Sequence, residues 1–253
     1  MKNNKSLGQH WLKDRAILDE IATLAKQDVE VAHCLEIGPG LGTLTSTLFR
    51  QFSQVTAVEF DSRLAHNLPQ SFPGKNLTVI NQDFLKFDLS TIKRPYAVAG
   101  NIPYYITSPI ISKLLESTNP PAKITLLIQK EVAERIVAEP GRHTVLSLTV
   151  QNYATAKLEF YVAKDYFTPP PKVDSAVITL VPRKKPLVSD DTLKLIQRGF
   201  TNPRKKLIKN LPFDKTLLIE IFNQLQLDPN ARPANLSHQD WQNLHKLLSS
   251  HSK

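Results

Sequence analysis

The chain has 253 residues, 41% of them hydrophobic and 22% charged, the balance of an ordinary soluble globular protein with room for one sizeable core and a small appended domain. No apolar run approaches the roughly 18 residues of a membrane span, the N-terminus lacks a signal peptide's apolar core, and the single cysteine, Cys34, cannot make an internal disulfide, so the cytoplasm is the expected compartment. The net charge of +9 is concentrated late, with 13 Lys+Arg against 6 Asp+Glu in residues 182–253, which favours a polyanionic partner without choosing among RNA, DNA and anionic lipid.

In chain order, the first expected strand is Val31–Ile37, with Cys34 as a buried core thiol. Gly38-Pro39-Gly40-Leu41-Gly42 follows it and opens a helix marked by Leu41, Leu44, Thr45, Leu48 and Phe52. Glycines at such a turn let the backbone bend sharply and let a ligand lie against it. The spacing is G-x-G-x-G, not the G-x-G-x-x-G of dinucleotide sites. A second strand, Gln54–Glu59, ends on an acid that can accept hydrogen bonds from both hydroxyls of an adenosine ribose. The third, Leu77–Asn81, is followed by Asp83, an acceptor for an adenine amino group, and Phe84, which can lie against the ring.

The fourth strand, Tyr96–Gly100, runs into Asn101-Ile102-Pro103-Tyr104. An acceptor amide, a proline-stiffened backbone and an aromatic ring equip this loop to grip a planar, amino-bearing base. A helix carrying Ile110, Ile111, Leu114 and Leu115 and a fifth strand, Ile124–Ile128, come next. Strand–helix alternation at this pitch predicts a parallel sheet with helices on both faces. Ala156–Val162 and Ser175–Val181 have no helix between them and are expected to form an antiparallel pair at one sheet edge. Beyond Arg183-Lys184-Lys185-Pro186 the pattern is helical throughout, with Phe200 and Trp241 as core residues and Ser237 with Asp240 as a capping box. We therefore expect two domains, residues 1–183 and a basic helical domain of residues 184–253.

In an open α/β sheet, ligands bind beyond the carboxyl ends of the strands. The glycine turn, Glu59, Asp83 and the Asn101 loop all fall there, in chain order. That series reads as an adenosine-bearing cofactor beside a base-gripping loop, and the cofactor as S-adenosylmethionine, not a nicotinamide.

Several motifs carry a family resemblance. They are Lys5-Ser6-Leu7-Gly8-Gln9-His10-Trp11-Leu12, Leu35 to Leu44, Gly100 to Ile106, Gln129-Lys130-Glu131-Val132, and Phe167-Thr168-Pro169-Pro170-Pro171-Lys172-Val173-Asp174-Ser175-Ala176-Val177. With them the chain resembles the ribosomal RNA adenine dimethyltransferases over residues 5 to 245, and Arg204-Lys205-Lys206 and Arg232-Pro233 favour the small-subunit branch. The resemblance implies a Rossmann-like S-adenosylmethionine-dependent methyltransferase fold and methylation of two adjacent adenosines in a hairpin near the 3′ end of 16S rRNA. The implied partner is small-subunit RNA in an assembling 30S particle, with no membrane partner and no metal, and the enzyme is expected to act as a monomer. It implies cofactor contacts from Gln9, His10, Leu12, Gly38, Gly40, Glu59, Asp83, Phe84 and Asn101. Asn101, Ile102, Pro103 and Tyr104 are the implied reaction centre, with Tyr104 and Phe167 as two faces around the target adenine. Arg204, Lys205, Lys206 and Lys209 are expected to contact RNA. The chain departs from the family pattern at His10-Trp11, in place of Asn-Phe, and at His143-Thr144-Val145, in place of Tyr-Gly-Arg.

Three rival readings are a large-subunit methylase of the resistance type, a DNA adenine methyltransferase, and a non-catalytic RNA-binding assembly factor. The proline run at 169–171 and the basic tail argue against the DNA enzyme, and the intact Asn101, Pro103, Tyr104, Glu59 and Asp83 argue against the non-catalytic reading.

Overall fold

The computed structural model describes residues 10–251, so Gln9 lies outside the described residues. The first half of the chain alternates strand and helix: β1 (Trp11–Leu12), α1 (Arg15–Lys26), β2 (His33–Ile37), α2 (Thr43–Leu48), β3 (Gln54–Glu59), α3 (Ser62–Asn67), β4 (Leu77–Asn81), β5 (Tyr96–Asn101), α4 (Thr107–Leu115) and β6 (Lys123–Gln129). There follow α5 (Lys130–Ile136), α6 (Val145–Tyr153), β7 (Ala154–Val162), β8 (Phe167–Thr168), β9 (Ser175–Pro182), α7 (Asp190–Gly199), α8 (Lys215–Gln224) and α9 (His238–Ser250).

Seven strands form one sheet in the order β4-β3-β2-β5-β6-β9-β7. Strands β4 to β6 are parallel, and β9 runs antiparallel to β6 with β7 beside it at the edge. Strands covered on both faces are buried along their length and read as near-continuous apolar runs. Accordingly β2 is buried at all five positions, Cys34 included, and β5 at all but Asn101. The register pairs Ile37 with both Val58 and Gly100 and Glu59 with Asn81, so these strands end level with one another. The chain runs outward from β2 on one side through β3 and β4, then returns to lay β5 on its other side. That reversal between β2 and β5 is the switch point where such sheets open a ligand crevice.

Helix α1 shows why the flanking elements form. Asp14 caps it by accepting from the Ile17 amide at 3.0 Å, and Leu18, Ile21, Ala22, Leu24 and Ala25 recur on its buried side. Each large aliphatic side chain there contributes about 1.5–3 kcal/mol relative to exposure.

Contacts divide the chain into two compact units, residues 1–133 with 155–182, and residues 134–154 with 183–253. The chain passes into the second unit at 183, and 134–154 also groups with it. The cause is local. Leu148 belongs to the apolar core of the second unit, its carbonyl accepts from the His238 ring at 2.8 Å, and the Asn152 side chain accepts from the Val188 amide at 2.8 Å. The rest of that core includes Ile196, Leu218, Phe222, Leu244 and Trp241, the last 6.3 Å from Phe200 between ring centres. Ser237 and Asp240 form the capping box of α9. No described helix is long and apolar enough to cross a membrane.

Candidate active site

A cavity of about 240 Å³ opens at the carboxyl edge of the sheet, over the switch point. Its lining holds His10 and Leu12, Gly38 and Gly40, Glu59, Asp83 and Phe84, and Asn101, Ile102, Pro103 and Tyr104. Elements far apart in sequence thus meet in one place, because level strand ends bring their following loops side by side.

The glycine turn is shaped by need. Gly38, Gly40 and Gly42 have φ of 64°, 58° and 79°, the left-handed region that β-carbons disfavour. At Gly42 a β-carbon would also stand 2.8 Å from Leu68. The turn is tied to the next strand by Gly38 N–H donating to the Val58 carbonyl at 3.0 Å, and by Gly40 N–H donating to Glu59 Oε2 at 3.0 Å. Glu59 Oε1 accepts from the Asp61 amide at 2.8 Å. The carboxylate is therefore fixed through one lone pair on each oxygen, with the second lone pairs left to accept from a diol. Burial raises its pKa against those backbone bonds. Asp83 is oriented in the same manner, Oδ1 accepting from the Leu85 amide at 2.9 Å.

The Asn101-Ile102-Pro103-Tyr104 loop is held from several directions. Asn101 Nδ2 donates to the His10 carbonyl at 3.0 Å, which commits the amide nitrogen and leaves Oδ1 as an acceptor. His10 Nδ1 lies 2.8 Å from the Pro169 carbonyl, to which it donates, so the N-terminal segment bridges the loop and the proline run. The Tyr104 hydroxyl shares a 2.8 Å hydrogen bond with Ser175 of β9, and burial raises its pKa. The ring that lies nearly parallel to Tyr104 is His10, with centroids 6.2 Å apart and planes at 19°.

Phe167 departs from the expectation. It is 3% exposed, packs in the core with Leu12, and does not line the cavity. The reason is the short antiparallel ladder of β1 and β8, which sets Leu12 opposite Phe167 and turns that ring inward. The aromatic second face expected from Phe167 is absent from the cavity among the described residues.

Glu36 is a cavity residue that the sequence reading did not single out, although it lies in the expected first strand. It is 1% exposed and its Oε2 accepts from the Thr45 hydroxyl at 2.6 Å. Burial pushes its pKa up to about 8, helped by the charge of Glu59 and opposed by the Thr45 bond. The available signal was a carboxylate between Leu35 and Ile37 in a buried strand, which must be neutralised or partnered. The unfolded carboxyl titrates near the ordinary 4.5 and the folded one near 8. Its contribution to stability is thus full below that lower value and lost as pH rises through the upper one. Urea unfolding of the wild type is expected to weaken across this window and that of Glu36→Gln to stay flatter. Parallel pH profiles would mean that the folded carboxyl is already ionised.

Trp11, Phe60, Gln82 and Tyr105 also line the cavity. Among the described residues its lining holds three carboxyl groups, Glu36, Glu59 and Asp83, and no Lys or Arg. This donor set fits S-adenosylmethionine, whose ribose hydroxyls and adenine amine need acceptors and whose sulfonium is cationic. It is a poor match for a pyrophosphate.

In the second unit, Arg204, Lys205, Lys206 and Lys209 line one pocket together with Asn230 and Arg232. Lys206 donates to the Asn230 side chain.

A sheet of this order with an acid-lined crevice at its switch point defines an S-adenosylmethionine-dependent methyltransferase. Residues 1–250 match the model of the ribosomal RNA adenine dimethylase family. The chain is 37% identical over 268 aligned residues to ribosomal RNA small subunit methyltransferase A of Bacillus mycoides, covering 98% of this chain and 91% of that protein. Among solved structures, a dimethyladenosine transferase from Plasmodium falciparum superposes with a TM-score of 0.81 at 27% identity, over 96% of this chain and 98% of that one. The 23S rRNA methyltransferase ErmE superposes at 0.77 with 29% identity, over 94% and 99%. The chain belongs to the ribosomal RNA adenine dimethylase family.

Proposed function

We propose that this protein transfers methyl groups from S-adenosylmethionine to the exocyclic amines of two adjacent adenosines in a hairpin near the 3′ end of small-subunit rRNA. It does so in the cytoplasm, as a monomer acting on an assembling 30S particle. The observation that carries this reading is Asn101, whose amide nitrogen is committed to the His10 carbonyl so that Oδ1 is left to accept, beside an acid-lined cavity.

An adenine amine is a poor nucleophile because its lone pair is delocalised into the ring. Donation of its two hydrogens to Asn101 Oδ1 and the Ile102 carbonyl would draw the nitrogen towards tetrahedral geometry and localise that pair. The bound cofactor supplies an electrophilic methyl group. Glu59 and Asp83 would accept from its ribose and adenine, and Gly38 and Gly40 would let it approach the backbone. Pro103, with φ −58°, stiffens the loop, and Tyr104, tethered to Ser175, offers an aromatic face to a base drawn out of its stack. The similarity to a small-subunit enzyme over 98% of the chain supports that substrate over the large subunit.

Labelled methyl transfer onto unmodified small and large subunits, followed by mapping of the modified nucleotides, tests this. Label on two neighbouring adenosines of small-subunit RNA is expected; label on the large subunit alone would replace the reading with the resistance-type activity. The basic pocket makes a separate expectation. Alanine at both Lys205 and Lys209 is expected to weaken RNA binding and to lower the magnitude of the salt slope by about 0.7–0.9 per lost phosphate contact. An unchanged slope would move the RNA footprint elsewhere.

A further inference from the structure

Phe60 and Tyr105 are the two most exposed large apolar side chains of the described residues, at 62% and 65%, and both line the same cavity. Single exposed apolar residues are ordinary. Two aromatic rings at the mouth of one crevice point instead to flat ligands. They belong to different sides of it. Phe60 directly follows Glu59 at the end of β3, and Tyr105 directly follows Tyr104 beyond the end of β5, with β2 between the two strands. Phe60 thus stands with the acids and Tyr105 with the base-gripping loop.

Tyr104 and Tyr105 lie in one 3-10 turn, Tyr104–Ile106. At three residues per turn, neighbouring side chains diverge by roughly 120°. Tyr104 is tethered inward to Ser175, which leaves Tyr105 facing solvent and unable to share a base with it. A base drawn into the cavity also leaves its sequence neighbour without a stacking partner.

We propose that Tyr105 is a specificity residue that stacks on the base of the nucleotide adjoining the target adenosine. The inference rests on the reading of the site as an RNA adenosine methyltransferase. With two adjacent adenosines as substrate, Tyr105 holds the partner adenosine during reaction of the one that has it on the stacking side, which makes adjacency a recognised feature for that methylation.

The test uses the full chain and synthetic RNA hairpins in which the neighbour on either side of the target is adenosine, uridine or abasic. Wild-type protein is expected to show a KM about tenfold higher when the neighbour on one side is abasic, the usual scale of one lost stacking contact. Tyr105→Ala is expected to raise KM on the adenosine-flanked RNA by a similar factor and to be indifferent to the abasic change, with the effect falling on KM more than on kcat. Tyr105→Phe restores both behaviours, and calorimetry finds the same affinity for S-adenosylmethionine in all three proteins. Tyr105→Ala that keeps wild-type discrimination, or wild type that shows none, overturns the proposal. Wild type that methylates no adenosine in any of these RNAs overturns the functional reading beneath it instead.

Discussion

Asn101→Ala is expected to lower the rate of methyl transfer by about 10²–10³-fold, the usual consequence of removing one positioned polar partner from a reaction centre. The side chain has two tasks that a single truncation removes together. Oδ1 is the proposed acceptor for the adenine amine, while Nδ2 donates to the His10 carbonyl at 3.0 Å. Asn101→Asp separates them, since it keeps an acceptor and loses the donor. If the acceptor matters most, the aspartate variant retains much more activity than the alanine variant under single-turnover conditions at saturating cofactor. Thermal unfolding should find the fold of Asn101→Ala close to wild type, and calorimetry should find a loss of cofactor affinity much smaller than the loss of rate, since Asn101 is one of several implied cofactor contacts. Full activity of that variant would sink the mechanism.

Glu59→Gln is expected to weaken S-adenosylmethionine binding about 10- to 100-fold, since hydrogen bonds to a charged group contribute about 1.5–3 kcal/mol. The wild-type carboxylate accepts from Gly40 N–H on one oxygen and from Asp61 N–H on the other. A glutamine amide must point its NH2 at one of those two donors, which disturbs either the glycine turn or the strand end. Burial raises the Glu59 pKa, so wild-type affinity should also fall on acidification, as the group loses the charge with which it accepts, and the glutamine variant should not follow. Isothermal calorimetry over a pH series reads both effects. Equal affinities for the two proteins would show that the diol is held elsewhere.

The sheet was legible because buried parallel strands carry their own signal, an apolar run closed by glycine, proline or an acid. Strands β3 and β4 have the ends read from sequence, and the other five strands of the seven-stranded sheet differ at an end by one or two residues. The site was legible for the same reason, since level strand ends convert an order along the chain into a row in space. Phe167 was not. Its burial follows from a two-residue ladder with Trp11–Leu12, too short to have a period and joining segments at opposite ends of the first unit. The placement of residues 134–154 was hidden for a related reason. An apolar face on α6 says that it must be covered, while its partners, Val188 and His238, are named only by the folded chain. Arg204, Lys205, Lys206 and Lys209 were readable as a run, but Arg232 reaches them only through tertiary structure.

The tie from the Asn101 amide to the His10 carbonyl, and from the His10 ring to the Pro169 carbonyl, bears on when during synthesis this protein becomes an enzyme. A growing chain has its glycine turn and both cofactor acids once residue 83 has emerged. The Asn101 loop is complete at residue 104, yet the brace that orients Asn101 has no far anchor until Pro169 leaves the ribosome. The nascent protein would therefore pass through a stage with the means to hold a methyl donor and no aligned route for handing the methyl on.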